Sequence, residues 1–180
     1  LLGFAFLLRF QTGFMIFGLI AWLLFIKKEK VSSLFLTGLA LAFVVAIGVI
    51  IDKWFYGTWT LSCWNYFDQN ILRDKVSGFG VYPWWWYLSE TFLNTIPPFS
   101  FVYLFGLLIF FVLHPKHLFT FILIPFLLVH FYIGHKEMRF LFPVICFLPI
   151  CIAFTIQAVN QKWSVPLLEQ RAFRFFFSAF

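Results

Sequence analysis

Residues 31–51, Val-Ser-Ser-Leu-Phe-Leu-Thr-Gly-Leu-Ala-Leu-Ala-Phe-Val-Val-Ala-Ile-Gly-Val-Ile-Ile, decide the fold. They run 21 positions without one charged side chain. About 20 such residues in an α-helix cross the hydrocarbon core of a bilayer. The whole chain repeats that bias. Of its 180 residues, 63% are hydrophobic, 24% aromatic and 11% charged. A soluble domain carries roughly 25% charged residues, so this chain lacks the polar surface to cover a water-facing globule. A soluble enzyme, a disordered tail and a disulfide scaffold are thereby excluded. Net charge is +6, but no soluble basic domain is present to bind nucleic acid.

Working outward from 31–51, the apolar runs predict an all-α, polytopic transmembrane helical bundle forming one membrane domain over 1–180. Five spans are expected, at about 1–26, 31–51, 97–113, 118–134 and 141–159. An aromatic-rich loop covers 52–96. The 160–180 tail begins polar and ends apolar at Phe173–Phe180, which suits an interfacial helix or a further span. Pro125, Pro143 and Pro149 fall inside spans, where neighbouring helices re-satisfy the freed backbone groups. Three Cys lack metal or disulfide spacing and are read as free thiols. The first residue is Leu, already inside an apolar run. This predicts a piece of a longer protein, the C-terminal part.

Lys and Arg placement sets the expected orientation. Lys27, Lys28, Lys30, Lys116, Lys162, Arg171 and Arg174 collect on one side. Lys53, Arg73, Lys75, Lys136 and Arg139 collect on the other, diluted by acids. The first side is expected to be cytoplasmic. With five spans, the 52–96 loop and the 135–140 turn must share the opposite face.

That turn, His135-Lys136-Glu137-Met138-Arg139-Phe140, is the densest polar cluster. It reads either as headgroup anchoring or as a phosphate site at the bilayer edge. A lysine gives a point charge and an arginine a planar fork of donors, and both suit phosphate. Arg9 lies in an apolar run, and ionisable groups at such depth mark functional sites by default. With Gln11 and Thr12 it is expected to line a polar cavity. The loop carries Trp54, Tyr56, Trp59, Trp64, Trp84, Trp85, Trp86 and Tyr87. These are interfacial anchors or a lid over a lipid or sugar, with Asn65, Asn70 and Asp68 bonding hydroxyls. Asp52 is a weak candidate for a general base. His114 and His117 flank a proline and are read as a turn; no metal site is expected.

Residues 135–143, His-Lys-Glu-Met-Arg-Phe-Leu-Phe-Pro, resemble the H-K-E-x-R-F-x-x-P signature of glycosyltransferase family 22. These are multispanning GT-C class enzymes that include dolichol-pathway alpha-mannosyltransferases and PIG-B-like GPI mannosyltransferases. Asp52-x-x-Phe55-Tyr56-Gly57-x-Trp59 is similar to the family's D-x-x-[FY]-Y-G-x-W, and Asn65-Tyr66-Phe67-x-x-Asn70 to its N-F-x-x-N. Residues 79–87 resemble the PIG-B-like Y-G-x-H-P-W-H-W-Y, and Arg9 with Gln11-Thr12 resembles a position in an earlier span. Met138 departs from the family's second Glu. Phe79, Tyr82 and Trp85 stand where that branch has Tyr and two His.

The resemblance implies sugar transfer from a polyprenyl-phosphate donor, such as dolichyl-phosphate mannose, to a lipid-linked glycan or glycolipid acceptor. It implies no cofactor and no metal. Lys136 and Arg139, with His135, would neutralise the leaving phosphate, and Glu137 would orient them. Arg9, Gln11, Asp52, Tyr56, Asn65, Asn70, Trp84 and Trp86 would line the substrate and lipid cavity. The family's catalytic acid lies in a loop nearer the N-terminus than any residue here, so this piece alone is expected to be inactive. The location implied is the endoplasmic reticulum membrane in a eukaryote, or the inner membrane in a bacterium. A transporter or lipid-binding membrane protein, with the basic turn as a mere anchor, is the alternative.

Overall fold

A computed structural model describes residues 1–163. The cations Arg171 and Arg174 and the expected helix at Phe173–Phe180 lie outside the described residues. Within them the chain is helical, with no strand, which agrees with the all-α expectation.

The first apolar run does not form one helix. It divides into α1 (Leu2–Leu8), a three-ten turn (Phe10–Thr12) and α2 (Gly13–Phe25). Arg9 makes the break, in extended backbone at φ −152° and ψ 95°. The second run extends past its expected end. α3 (Val31–Tyr56) has 26 residues and stops at Gly57, whose φ of +74° suits a residue without Cβ. The 52–96 stretch holds α4 (Ser62–Phe67), a π-turn at Asp68–Leu72, a three-ten turn at Lys75–Phe79 and α5 (Trp86–Asn94). Then come α6 (Phe99–Leu113), α7 (Leu118–Tyr132), a three-ten turn at Met138–Leu141, α8 (Phe142–Ile145) and α9 (Leu148–Trp163).

These lengths do not by themselves give the five expected spans. At about 1.5 Å per residue, α3 is about 39 Å long, enough to cross a hydrocarbon core of about 30 Å. It is the one described helix long and apolar enough to do so by itself. Residues 138–145 and 148–161 would make a second if counted as one span bent by 53°. The bend follows from sequence: Pro143 and Pro149 each sit in a first helical turn, where proline is tolerated but cannot continue the helix before it. α6 and α7 have 15 residues each.

Packing centres on α2 against α7 and α6 against α9. Gly18 makes the first contact possible, since a Cβ there would lie 2.0 Å from the Phe121 carbonyl oxygen. Small residues of this kind let apolar helices approach closely. Phe110, Ile122, Leu123, Phe126, Val144 and Cys151 form the buried core. α3 joins the rest mainly through α1 and keeps Phe35, Leu36 and Phe43 exposed. His117 caps α7, its Nδ1 accepting from Phe119 N–H at 3.2 Å. Trp22 Nε1 donates to the Lys116 carbonyl at 2.9 Å, so the 114–117 segment is a turn fastened to α2.

Candidate functional site

The 135–140 turn follows directly from the end of α7. A helix leaves its last carbonyls without intrahelical partners and with partial negative charge. Lys136 folds back onto them. Its Nζ donates to His130 O (3.1 Å), Phe131 O (2.9 Å) and Ile133 O (2.5 Å). These three bonds use all the ammonium's donors. The residue is 2% exposed, and burial pushes its pKa below the ordinary lysine value. Nζ also lies 5.4 Å from the Tyr87 ring centre. Tyr87 is 1% exposed, and burial pushes its phenol up to about 12.

Arg139 has the opposite setting. Its side chain is 67% exposed, and its Nε pairs with Glu137 Oε2. Glu137 Oε1 faces His135 Nε2 at 3.1 Å, while His135 Nδ1 faces the Gly80 carbonyl at 3.1 Å. Both ring nitrogens therefore face oxygen atoms. The Arg139 hydrogen bond, and then the one from His135, hold the Glu137 carboxyl below the usual range. Of the two cations that look alike in sequence, one is an inward cap and the other faces outward.

The loop and the turn touch. Tyr82 N–H donates to Gly134 O at 2.9 Å, His135 reaches Gly80, and Lys136 lies on Tyr87. Beneath them is a cavity of about 340 Å³, lined mainly by apolar side chains of the first run (Phe6, Phe10, Phe14), the loop (Leu61, Trp64, Phe67) and the turn (Phe140). Its polar members are few. Gln11 Nε2 lies 3.4 Å from Tyr66 Oη, Asn70 Nδ2 donates to Tyr66 O at 2.8 Å, and His135 forms part of the wall.

Thus Gln11, Asn70 and His135 come together around this cavity. Arg9 joins from the side, its Nη2 donating to the Arg139 carbonyl at 2.8 Å. Asp52 is in a separate cavity of about 200 Å³ and accepts from the Ser62 N–H at 3.2 Å, holding the start of α4. Tyr56 is exposed and edge-on to Phe55. Asn65 is exposed. Trp84 is 63% exposed, and Trp86 lies tilted against Tyr82 and edge-on to Tyr87. None of these four lines either cavity.

Sequence reasoning missed His130. It is 3% exposed, stacks on Phe126, faces the Phe126 carbonyl through Nδ1 at 2.7 Å and contributes to the cavity wall. The signal was present: it is the sole His, Lys, Arg, Asp or Glu within the apolar run 118–134.

Comparison with known proteins gives the family. GPI alpha-1,2-mannosyltransferase 3 of Bos taurus is 34% identical over 151 residues, 79% of this chain and 26% of that protein. The Mus musculus protein of the same name is 38% identical over 114 residues, 61% of this chain and 19% of its own length. A probable Dol-P-Man:Man(7)GlcNAc(2)-PP-Dol alpha-1,6-mannosyltransferase of Schizosaccharomyces pombe is 29% identical over 143 residues, 75% of this chain and 24% of that protein. The chain thus spans about a quarter of the length of these relatives. No solved structure matches it. The profile of the Alg9-like mannosyltransferase family matches residues 1–180, and the chain belongs to that family.

Proposed function

We propose that the protein transfers a mannosyl group from a polyprenyl-phosphate donor to a lipid-linked glycan acceptor. The observation that carries this reading is the mostly apolar cavity walled by His135 and Phe140, with the outward guanidinium of Arg139 beside it. An isoprenoid chain fits the apolar wall, and a phosphate fits the cation at its edge. The names of the relatives, one group acting in GPI synthesis and one on a dolichol-linked glycan, support the same classes of donor and acceptor.

In this reading an acceptor hydroxyl attacks the anomeric carbon. The carbon–oxygen bond to phosphate breaks, and a carboxylate takes the hydroxyl proton. Arg139 neutralises charge growing on the departing phosphate, with His135 beside it. Glu137 holds Arg139 and His135 in place. Lys136 supports the turn from beneath instead of meeting the phosphate. Asp52 is engaged with Ser62 in its own cavity and is not assigned the base.

We further propose a polytopic membrane bundle of five crossings, the shorter helices crossing where the bilayer thins locally or being paired across breaks. The loop and turn would share the non-cytoplasmic face, supported by their mutual contacts. The test is transfer of labelled mannose from dolichyl-phosphate mannose by membranes carrying the complete reading frame. Label in a glycolipid product supports the proposal. Hydrolysis alone, or no consumption of donor, contradicts it.

A further inference from the structure

We infer that Arg9 is a positioning residue, which sets the geometry of the phosphate-facing Arg139 through its backbone and does not itself meet substrate. The inference rests on the proposed transfer reaction and adds to it. An arginine within an apolar run is costly, and here a helix break adds to that cost. α1 ends at Arg9, and the next three residues wind as a three-ten turn. Among the described residues, no carboxylate pairs with this guanidinium. Its recorded bond is to one oxygen, the Arg139 carbonyl, 130 positions away in sequence. That oxygen also accepts the Phe142 N–H that begins α8. One carbonyl therefore anchors both the turn and the following helix, and a cation fixes where it stands.

The break itself is braced. Thr12 Oγ1 donates to the Arg9 carbonyl at 2.8 Å, and Gln11 reaches the Tyr66 hydroxyl across the cavity. Arg9 thus joins the first apolar run to the turn, while Gln11 joins it to the loop. Fixing the Arg139 backbone fixes the direction in which its exposed side chain leaves the turn. Binding groups held to within a fraction of an ångström owe that to supporting residues of this sort.

The test uses the protein from the complete reading frame, purified in detergent, as wild type, Arg9→Ala, Arg139→Ala and the double variant. Arg9→Ala is expected to raise the donor KM roughly 10- to 100-fold, the range set by losing a charge-assisted hydrogen bond. The acceptor KM should not move. If Arg9 acts through Arg139, the double variant loses no more than Arg139→Ala alone. Arg9→Gln, which keeps an amide donor, serves where Arg9→Ala fails to fold, and the same non-additivity with Arg139→Ala is expected. Losses that multiply, or an unchanged donor KM, overturn the inference while the transfer reading stands. Wild-type protein that transfers nothing overturns the transfer reading itself, and the inference with it.

Discussion

Lys136 Nζ sits 5.4 Å from the centre of the Tyr87 ring, while its three hydrogen bonds close the end of α7. One buried cation thereby joins the aromatic loop to the turn. It acts on structure, and under the proposed function the outward Arg139 acts on substrate.

That division predicts opposite phenotypes. Lys136→Met leaves three helix-terminal carbonyls without their donor in a buried place. Unfolding in detergent should become easier by about 2–4 kcal/mol, read as a lower thermal midpoint. Lys136→Ala should show the same direction.

Arg139→Ala removes an exposed side chain and should leave the thermal midpoint near wild type. Transfer should fall by about 100-fold or more. Arg139→Lys should recover little, because an ammonium cannot reproduce the planar fork on phosphate and carboxylate.

Gly18→Ala tests the packing. The added Cβ would stand 2.0 Å from a backbone oxygen of α7, which cannot step aside as a flexible side chain can. A loss of about 1–3 kcal/mol is expected, measured as a lower midpoint with the turn residues intact.

Tyr87 predicts an alkaline limit. Its folded pKa is raised to about 12 from 10.0. A group raised on folding stabilises fully below its unfolded value, and that contribution is lost as pH rises through the folded one. Stability should therefore fall between about pH 10 and pH 12, and Tyr87→Phe should abolish that part of the fall. Glu137 has the reverse sign. Its lowered carboxyl contributes above the ordinary glutamate value, and the contribution is lost as pH falls through the folded value. Glu137→Gln should flatten the acid limb.

What could be read in the chain depended on whether local pattern or distant partners controlled the outcome. α3 was legible because 21 uncharged residues allow little else. The turn was legible as a cluster because its ionisable groups are adjacent. The inward course of Lys136 was not, since it depends on orphan carbonyls at the end of α7 and on Tyr87 some 49 positions earlier. The division of the first run at Arg9 also escaped, because its partner lies at Arg139. Asp52 reads as a weak candidate base, and its bond to the Ser62 amide could not be read from the chain. Tyr56, Asn65, Trp84 and Trp86 follow a motif order that leaves them outside the cavities.

The most direct test of the account is occupancy of the cavity, and Cys63 reports on it. This free thiol is half-buried and lines both cavities, and burial raises its pKa, so alkylation should be slow and quicken at alkaline pH. With Cys146 replaced by Ser, the rate of maleimide addition at Cys63 is followed by mass spectrometry with and without polyprenyl phosphate. The account predicts that polyprenyl phosphate slows alkylation, that the alcohol lacking phosphate slows it less, and that Arg139→Ala removes the difference. An alkylation rate unchanged by polyprenyl phosphate would contradict it.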